Sequence, residues 1–379
     1  MTDDNRQDDP SPSDSEPRPN RPDPYAALVA RLLAPPLQTA ALAGIGGRIR
    51  AVPEDFAVWE IPAYPPDGRP NAHLLLTLTK RGIGSEDAVA ELSRQTGIPR
   101  PEIGLAGLKD TVAVTEQWIS VPFAAGPTLA DFHHPAITLG PAHPHGNKLR
   151  RGHLHGNRFA LVVRDLAVDG NESAARIAAK RARLAELGGL DNLYGQQRLG
   201  EDGHNIRRGL AALAAGKRRG RADFLLSAAQ SALFNLYLLE RRARGQLRTV
   251  LRGDILKKGV TGGIFECREP EVDQARLDAG ELGITGPMFG SKMRAPSPGT
   301  PSGELEREVL EATGISPAAL SALGNKLEGT RRPLQLPLPD LEAEPVPATP
   351  DLPPGLRLRF QLPAGSYATV LLHELQNPA

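Results

Sequence analysis

Segments of hydrophobic period two and segments of helical period follow one another along this chain without regular alternation. This order constrains the fold most, because a doubly wound parallel sheet requires strand and helix to alternate. His73–Thr79 (HLLLTLT), Gln117–Pro122 (QWISVP) and Arg158–Asp165 (RFALVVRD) read as strands, the last with Phe159, Leu161 and Val163 on one side. Leu356–Leu362 (LRLRFQL) alternates strictly. That predicts a half-buried strand, with Leu356, Leu358, Phe360 and Leu362 inward and Arg357, Arg359 and Gln361 on a cationic outer face. Helices are predicted over Ser85–Thr96, opened by a capping Ser85 with Glu86 and Asp87 at the positive end, and over Ser173–Leu187, stopped by Gly188-Gly189, with Arg176, Lys180 and Arg183 on one face. Two more are predicted over Ala222–Arg244, with a buried stripe of Leu225, Ala229, Leu233 and Leu236, and over Ser366–Leu375. The expected fold class is α+β with mostly antiparallel pairing.

A chain of 379 residues is long for one core, so two domains or one large elaborated one are expected. Residues 1–24 hold seven acids, three arginines and six prolines, and no apolar residue after Met1. Such a stretch buries too little surface to offset its ordering entropy, which predicts a disordered tail. Pro333–Pro354, rich in Pro, Leu and acids, reads as an extended connector. The single cysteine, Cys267, excludes an intramolecular disulfide framework and a multi-Cys zinc site, and fits a reducing, cytoplasmic setting. Runs such as Leu74–Leu76 are too short to cross a bilayer, and neither a membrane partner nor a signal peptide is expected.

Lys and Arg number 45 against 44 Asp and Glu, so a polyanionic partner is not indicated by net charge. Three local runs are cationic. Phe132–Arg164 has no acid and carries Lys148, Arg150, Arg151, Arg158, Arg164 and six of the nine histidines. Gly203–Ala222 carries Arg207, Arg208, Lys217, Arg218, Arg219 and Arg221. Arg241–Lys258 has seven cations against one aspartate. Each alone is an ordinary solvated face; three together suit a phosphate backbone. His143, His145, His153 and His155 form HxH pairs, but no Cys is near and the nearest carboxylates lie outside the segment. A mobile loop making surface or phosphate contacts is therefore expected, and no metal.

The signatures of P-loop NTPases, dinucleotide-binding folds, serine hydrolases and HExxH or CxxC metal enzymes are missing from the sequence. What stands out is Leu105–Val121 (LAGLKDTVAVTEQWISV). There Gly107 permits a tight backbone, and Lys109 and Asp110 sit in a turn before the strand carrying Trp118. A carboxylate on a turn beside a buried strand is rigid enough to act in a cleft. By composition alone, an ordinary solvated turn is the simpler account.

AGLKDTVAVTEQWISV resembles the signature of the tRNA pseudouridine synthase D (TruD) family. PEDFAVWE (Pro53–Glu60), GNRFALVVRD (Gly156–Asp165), FLLSAAQSALFN (Phe224–Asn235), ITGPMFG (Ile284–Gly290) and FQLPAGSYATVLLHEL (Phe360–Leu375) resemble further blocks of it. NLYGQQRLGEDGHNIRRG (Asn192–Gly209) resembles its NYFGxQRFG block, with Leu193 and Leu199 where aromatics are usual. The blocks keep the family's order over residues 50–375.

The resemblance implies a pseudouridine-synthase catalytic domain with a mostly antiparallel mixed sheet, over 25–188 and 330–379, and an inserted α/β TRUD domain over 189–329. It implies isomerisation of uridine to pseudouridine in tRNA, at uridine 13 of the D-arm, with base flipping and no cofactor. Asp110 aligns with the essential aspartate, and Arg50 with a basic residue expected to pair with it. Phe56 and Phe159 are expected to wall the uracil pocket, Asn157 to hydrogen-bond near the base or Asp110, and Lys109 to contact phosphate or cap the turn. Glu54 and Asp55 either shape the pocket or form a plain turn. tRNA is the partner; no protein partner is implied, and a monomer is expected. One alternative is a non-catalytic RNA-binding protein of this fold. Another is a glycoside-processing enzyme with a second acid beside Asp110.

Overall fold

The computed structural model of the chain describes residues 23–69, 72–200, 202–216, 223–338 and 340–376. The expected disordered tail, apart from its last two residues, lies outside them. Among the described residues, ten strands form one sheet. Its main path runs Glu342–Val346, Gly355–Pro363, Leu154–Leu166, Phe56–Pro62, Val114–Pro122, His73–Arg81, Ile137–Leu139. Every described pairing is antiparallel except that of Phe56–Pro62 with Val114–Pro122, where Ala57 faces Val114. This one parallel pair builds the site, because parallel neighbours begin at the same end of a sheet. The segments entering the two strands, one carrying Arg50 and the other Asp110, are brought side by side.

The alternation of Leu356–Leu362 appears as expected: the four apolar side chains are buried. Phe360 faces Phe159, which faces Val58; Leu362 faces Asn157, which faces Glu60. The helices Gly170–Glu186 and Ala368–Gln376 close this face with Ile177, Leu184, Leu371, Leu372 and Leu375. Each such side chain contributes about 1.5–3 kcal/mol on burial. A second cluster packs Leu74, Leu76, Leu78, Ile119 and Val121 against Ala88, Val89 and Leu92 of the helix Ser85–Thr96. A third surrounds the helix Asp223–Ala243, the four-stranded antiparallel sheet Ile264–Glu266, Ile255–Lys258, Leu282–Met288, Thr330–Pro333, and Val29 and Leu32 of the helix Ala26–Leu33.

Several expectations are corrected. The stretch Pro333–Pro354 is not a plain connector, since it holds the edge strand Glu342–Val346. There Glu344 pairs with Arg357 (2.7 Å) and Arg359 (2.9 Å), so its acid answers the cationic outer face of the neighbouring strand. Pro345 is tolerated because the strand has an unpaired edge. The His-rich segment is not a loose loop; His143–His145 is a strand paired with His73–Leu75. Ser85 does not cap its helix: Gly84 is the cap residue, and the Ser85 hydroxyl is used elsewhere.

The cationic runs are partly internal. Arg164 is bidentate to Asp55 (2.8 Å twice) and buried, so Asp55 locks the start of its strand to the neighbouring one. Arg241 is fully buried against Asp254 (2.6 Å), and outside the runs Lys180, on the helix Gly170–Glu186, donates to Thr39 Oγ1 and the Glu374 carbonyl from inside the protein. Arg207 is paired with Asp23 (2.6 Å), and residues 217–222 lie outside the described chain. A run of like charge in sequence does not show which acids the fold brings to it.

Candidate active site

Asp110 lies in the irregular segment between Leu105 and Val114, and three buried polar side chains fix that segment from beneath. The Ser85 hydroxyl accepts the Lys109 backbone N–H (2.9 Å) and donates to Gln117 Oε1 (2.7 Å). The Lys109 amine donates to Glu60 Oε2 (2.7 Å), with both side chains buried. The Lys80 amine donates to the carbonyls of Asp110 (2.6 Å) and Ile83 (2.7 Å). Gly107 has no special conformation, and a Cβ there would meet only the Lys109 amine. The loop is held by side chains, not by glycine.

The Asp110 side chain itself is 37% exposed. Arg50 Nη2 lies 3.1 Å from its Oδ1, and Oδ2 has no partner among the described residues. Arg50 is one of two described non-glycine residues with positive φ (+62°). Its guanidinium sits 4.2 Å above the centre of the Phe56 ring, an attractive cation–π contact. A residue in a costly backbone conformation, tied to a ring and a carboxylate, is a mark of a functional position.

The structure brings Asp110, Arg50 and Phe56 together in contact. Phe56 is buried, and Arg50 covers it. Phe159 and Asn157 stand on the strand next to Phe56–Pro62. The Phe159 ring stacks on Phe360 at 5.0 Å and 18°. Asn157 Oδ1 is buried with no hydrogen-bond partner, an acceptor left open that ordinarily costs free energy. Lys109 faces inward to Glu60 and is not placed for phosphate. Glu54 pairs with Arg81 at the surface, so it and Asp55 serve the turn. Glu60, the acid of this network, is committed to Lys109 and the Trp118 backbone N–H (3.3 Å). That gives the glycoside-processing alternative no free second carboxylate there.

Sequence reasoning missed Lys80, Glu60 and the pairing role of Phe360. Their signal was present. Lys80 falls in line with Leu74, Leu76 and Leu78, and Glu60 with Phe56 and Val58. Each is a polar residue at a buried parity, which is costly unless partnered or used. Burial holds the Lys80 amine down at about 8, with Asp110 pulling it up and Lys109 down. Beside Arg50 a cavity of about 300 Å³ runs between Tyr194–Gln197 and the helix Ala368–Gln376. On its floor burial pushes the Asp191 carboxyl up to about 6 against the pull of Arg242.

The profile of the family described as tRNA pseudouridine synthase D (TruD) matches residues 36–218 and 218–375. The tRNA pseudouridine synthase D of Anaeromyxobacter dehalogenans (strain 2CP-C) is 44% identical over 352 residues, covering 90% of this chain and 96% of the relative. A tRNA pseudouridine synthase D of Thermus thermophilus is 40% identical, covering 92% and 94%. A solved TruD structure from Methanosarcina mazei superposes with a TM-score of 0.73 at 22% identity, covering 93% of this chain and 98% of the other, and is a likeness of fold.

Proposed function

The chain belongs to the tRNA pseudouridine synthase D family and is an isomerase of uridine in tRNA; we propose that its target is uridine 13 of the D-arm and that Asp110 is the reacting carboxylate. The reaction breaks the N1–C1′ bond, turns the uracil, and joins C5 to C1′. The C5 proton leaves and N1 gains one, so no electron is exchanged with an outside group. A carboxylate serves this chemistry by attacking C1′ as the bond breaks, by taking a proton from C2′ or by adding to the uracil ring. Each route needs one free oxygen held rigidly. The observation that carries the reading is the Asp110 carboxylate, half-exposed on an anchored loop, with Arg50 on Oδ1 and Oδ2 free among the described residues.

In this reading Arg50 orients the carboxylate, and Phe56 seats Arg50 rather than the base. The Phe159–Phe360 stack offers the uracil an apolar wall, and the open Asn157 Oδ1 accepts an N–H of the ring. Residues 25–188 and 330–379 form the catalytic part and 189–329 the insert, with the helix Ala26–Leu33 and the strand Thr330–Pro333 leaning on the insert. The two parts grip tRNA between them while the uridine flips out, and the enzyme acts as a monomer. Flipping costs a few kcal/mol, within reach of several phosphate contacts.

The test is incubation with unmodified tRNA transcripts carrying uridine or cytidine at position 13, followed by mapping of pseudouridine. Wild type is expected to modify position 13 only, and Asp110→Asn to bind tRNA within a few-fold while losing turnover. Pseudouridine at another position would move the target. An active Asp110→Asn would remove Asp110 from the chemistry.

A further inference from the structure

The histidines of the Phe132–Arg164 run are not absorbed by the catalytic reading. The fold gathers two of them with Tyr64 in a recess of about 660 Å³. His145 is buried and stacks face to face on Tyr64 (5.2 Å, 13°). The Tyr64 hydroxyl lies 2.5 Å from His153 Nδ1, and the Arg150 backbone N–H donates to the same nitrogen (3.3 Å). Nδ1 therefore accepts, and the proton sits on Nε2, where it is a donor. Lys148 and Arg150 line the recess as well, the Lys148 amine donating to the Pro101 carbonyl beside it. Among the described residues the Arg150 guanidinium has no hydrogen-bond or ion-pair partner. The one lining carboxylate, Asp67, accepts the backbone N–H groups of Arg69 and Gly146 on Oδ1 and has the Arg69 guanidinium 3.7 Å from Oδ2, while its own backbone N–H donates to His145 Nδ1 (3.2 Å). The recess thus presents donors and surplus positive charge around an aromatic wall. No group of three or more His, Cys, Asp or Glu side chains among the described residues converges as a metal site would require.

Its place matters as much as its chemistry. Tyr64 and His153 each lie four residues along the chain from Glu60 and Asn157, which face each other on neighbouring strands. Four strand residues span roughly 13 Å. The turn carrying Arg150–His153 is also tied to the segment leading to Asp110, through the Gly152 N–H and the Ala106 carbonyl (2.9 Å).

We propose that the recess formed by Tyr64, His145, Lys148, Arg150 and His153 binds one backbone phosphate of the tRNA close to the flipped uridine. The proposal rests on the tRNA reading above. Its ligand is a phosphodiester of the substrate strand: the Arg150 guanidinium and the His153 Nε2–H donate to the phosphate oxygens, and Lys148 adds charge. It acts by fixing where the strand lies, so that the nucleotide entering the site is the one a set distance away.

The experiment compares wild type, Arg150→Ala and Arg150→Lys on a D-arm transcript. The RNA carries either natural phosphates or one neutral methylphosphonate at a time, within three nucleotides of the target. Both turnover and equilibrium binding are measured. Arg150→Ala is expected to raise KM and Kd about tenfold and to flatten the salt dependence by about one counterion. Arg150→Lys is expected to recover most of the loss. A methylphosphonate at one linkage should weaken wild type equally and leave Arg150→Ala unaffected. Unchanged binding and salt slope in Arg150→Ala, or losses that add at every linkage, would overturn the proposal. Binding is scored apart from turnover, so an inactive wild type would sink the catalytic reading while the phosphate site is still judged.

Discussion

Replacing Lys80 with methionine separates stability from activity in this protein. The amine is held at about 8 rather than 10.5 because burial disfavours its charge. At about 1.4 kcal/mol per pH unit, keeping it charged in the fold costs about 3 kcal/mol at neutral pH. Methionine of similar length recovers that cost. It also leaves the Asp110 and Ile83 carbonyls without the donor they share, at about 1–3 kcal/mol each. The two sides nearly cancel, so Lys80→Met should be destabilised by no more than about 3 kcal/mol. Activity should fall much further, because a reacting group displaced by about 1 Å loses roughly a hundredfold in rate. Between pH 8 and 10.5 the unfolded chain binds more protons at this lysine than the folded one does. Wild-type stability therefore gains on the variant as pH rises through that window, by about 3 kcal/mol in all. Urea unfolding at pH 7, 8, 9 and 10, with turnover at saturating tRNA, reads both quantities. Full activity in the variant, or stability curves that stay parallel across the window, would refute the reasoning.

Asp55→Ala strands Arg164 as a buried unpaired charge and should cost about 3–5 kcal/mol, read as a lowered urea midpoint. The raised Asp191 carboxyl means that the folded state binds the extra proton. The stability of wild type relative to Asp191→Asn should accordingly fall as pH rises from 4 to 6; a flat difference would show an ordinary carboxyl there. Gly189 has φ +122°, and a Cβ on it would lie 2.2 Å from the Leu336 carbonyl oxygen. Gly189→Ala should therefore lose at least about 2 kcal/mol, measured by thermal or urea unfolding, since neither the backbone conformation nor the space admits it.

The amphipathic elements were legible because burial follows a period that the sequence writes directly. Leu356–Leu362 and Ser85–Thr96 appear where alternation and helical period put them. The ordered blocks likewise made the family and its isomerase chemistry readable before any coordinates. Charge was far less legible. Arg164 and Arg241 lie in runs that read as basic surface but are internal, Arg164 against Asp55, 109 residues back, and Arg241 against Asp254, the one aspartate of its own run. The edge strand Glu342–Val346 was hidden by its prolines and acids, which read as a linker until a cationic neighbour is set beside them.

From sequence alone came the candidate aspartate, its expected arginine and the residue types of the pocket, since those depend on identity and order. Tertiary structure decided which of them act together. One parallel strand pair, between two segments more than fifty residues apart, sets Arg50 against Asp110. The same packing turns Lys109 inward, stands Lys80 beneath the loop and gathers Tyr64, His145 and His153 around one recess. Through-space distance, not spacing along the chain, fixes how strongly charges and donors act on one another, and only the folded sheet sets those distances.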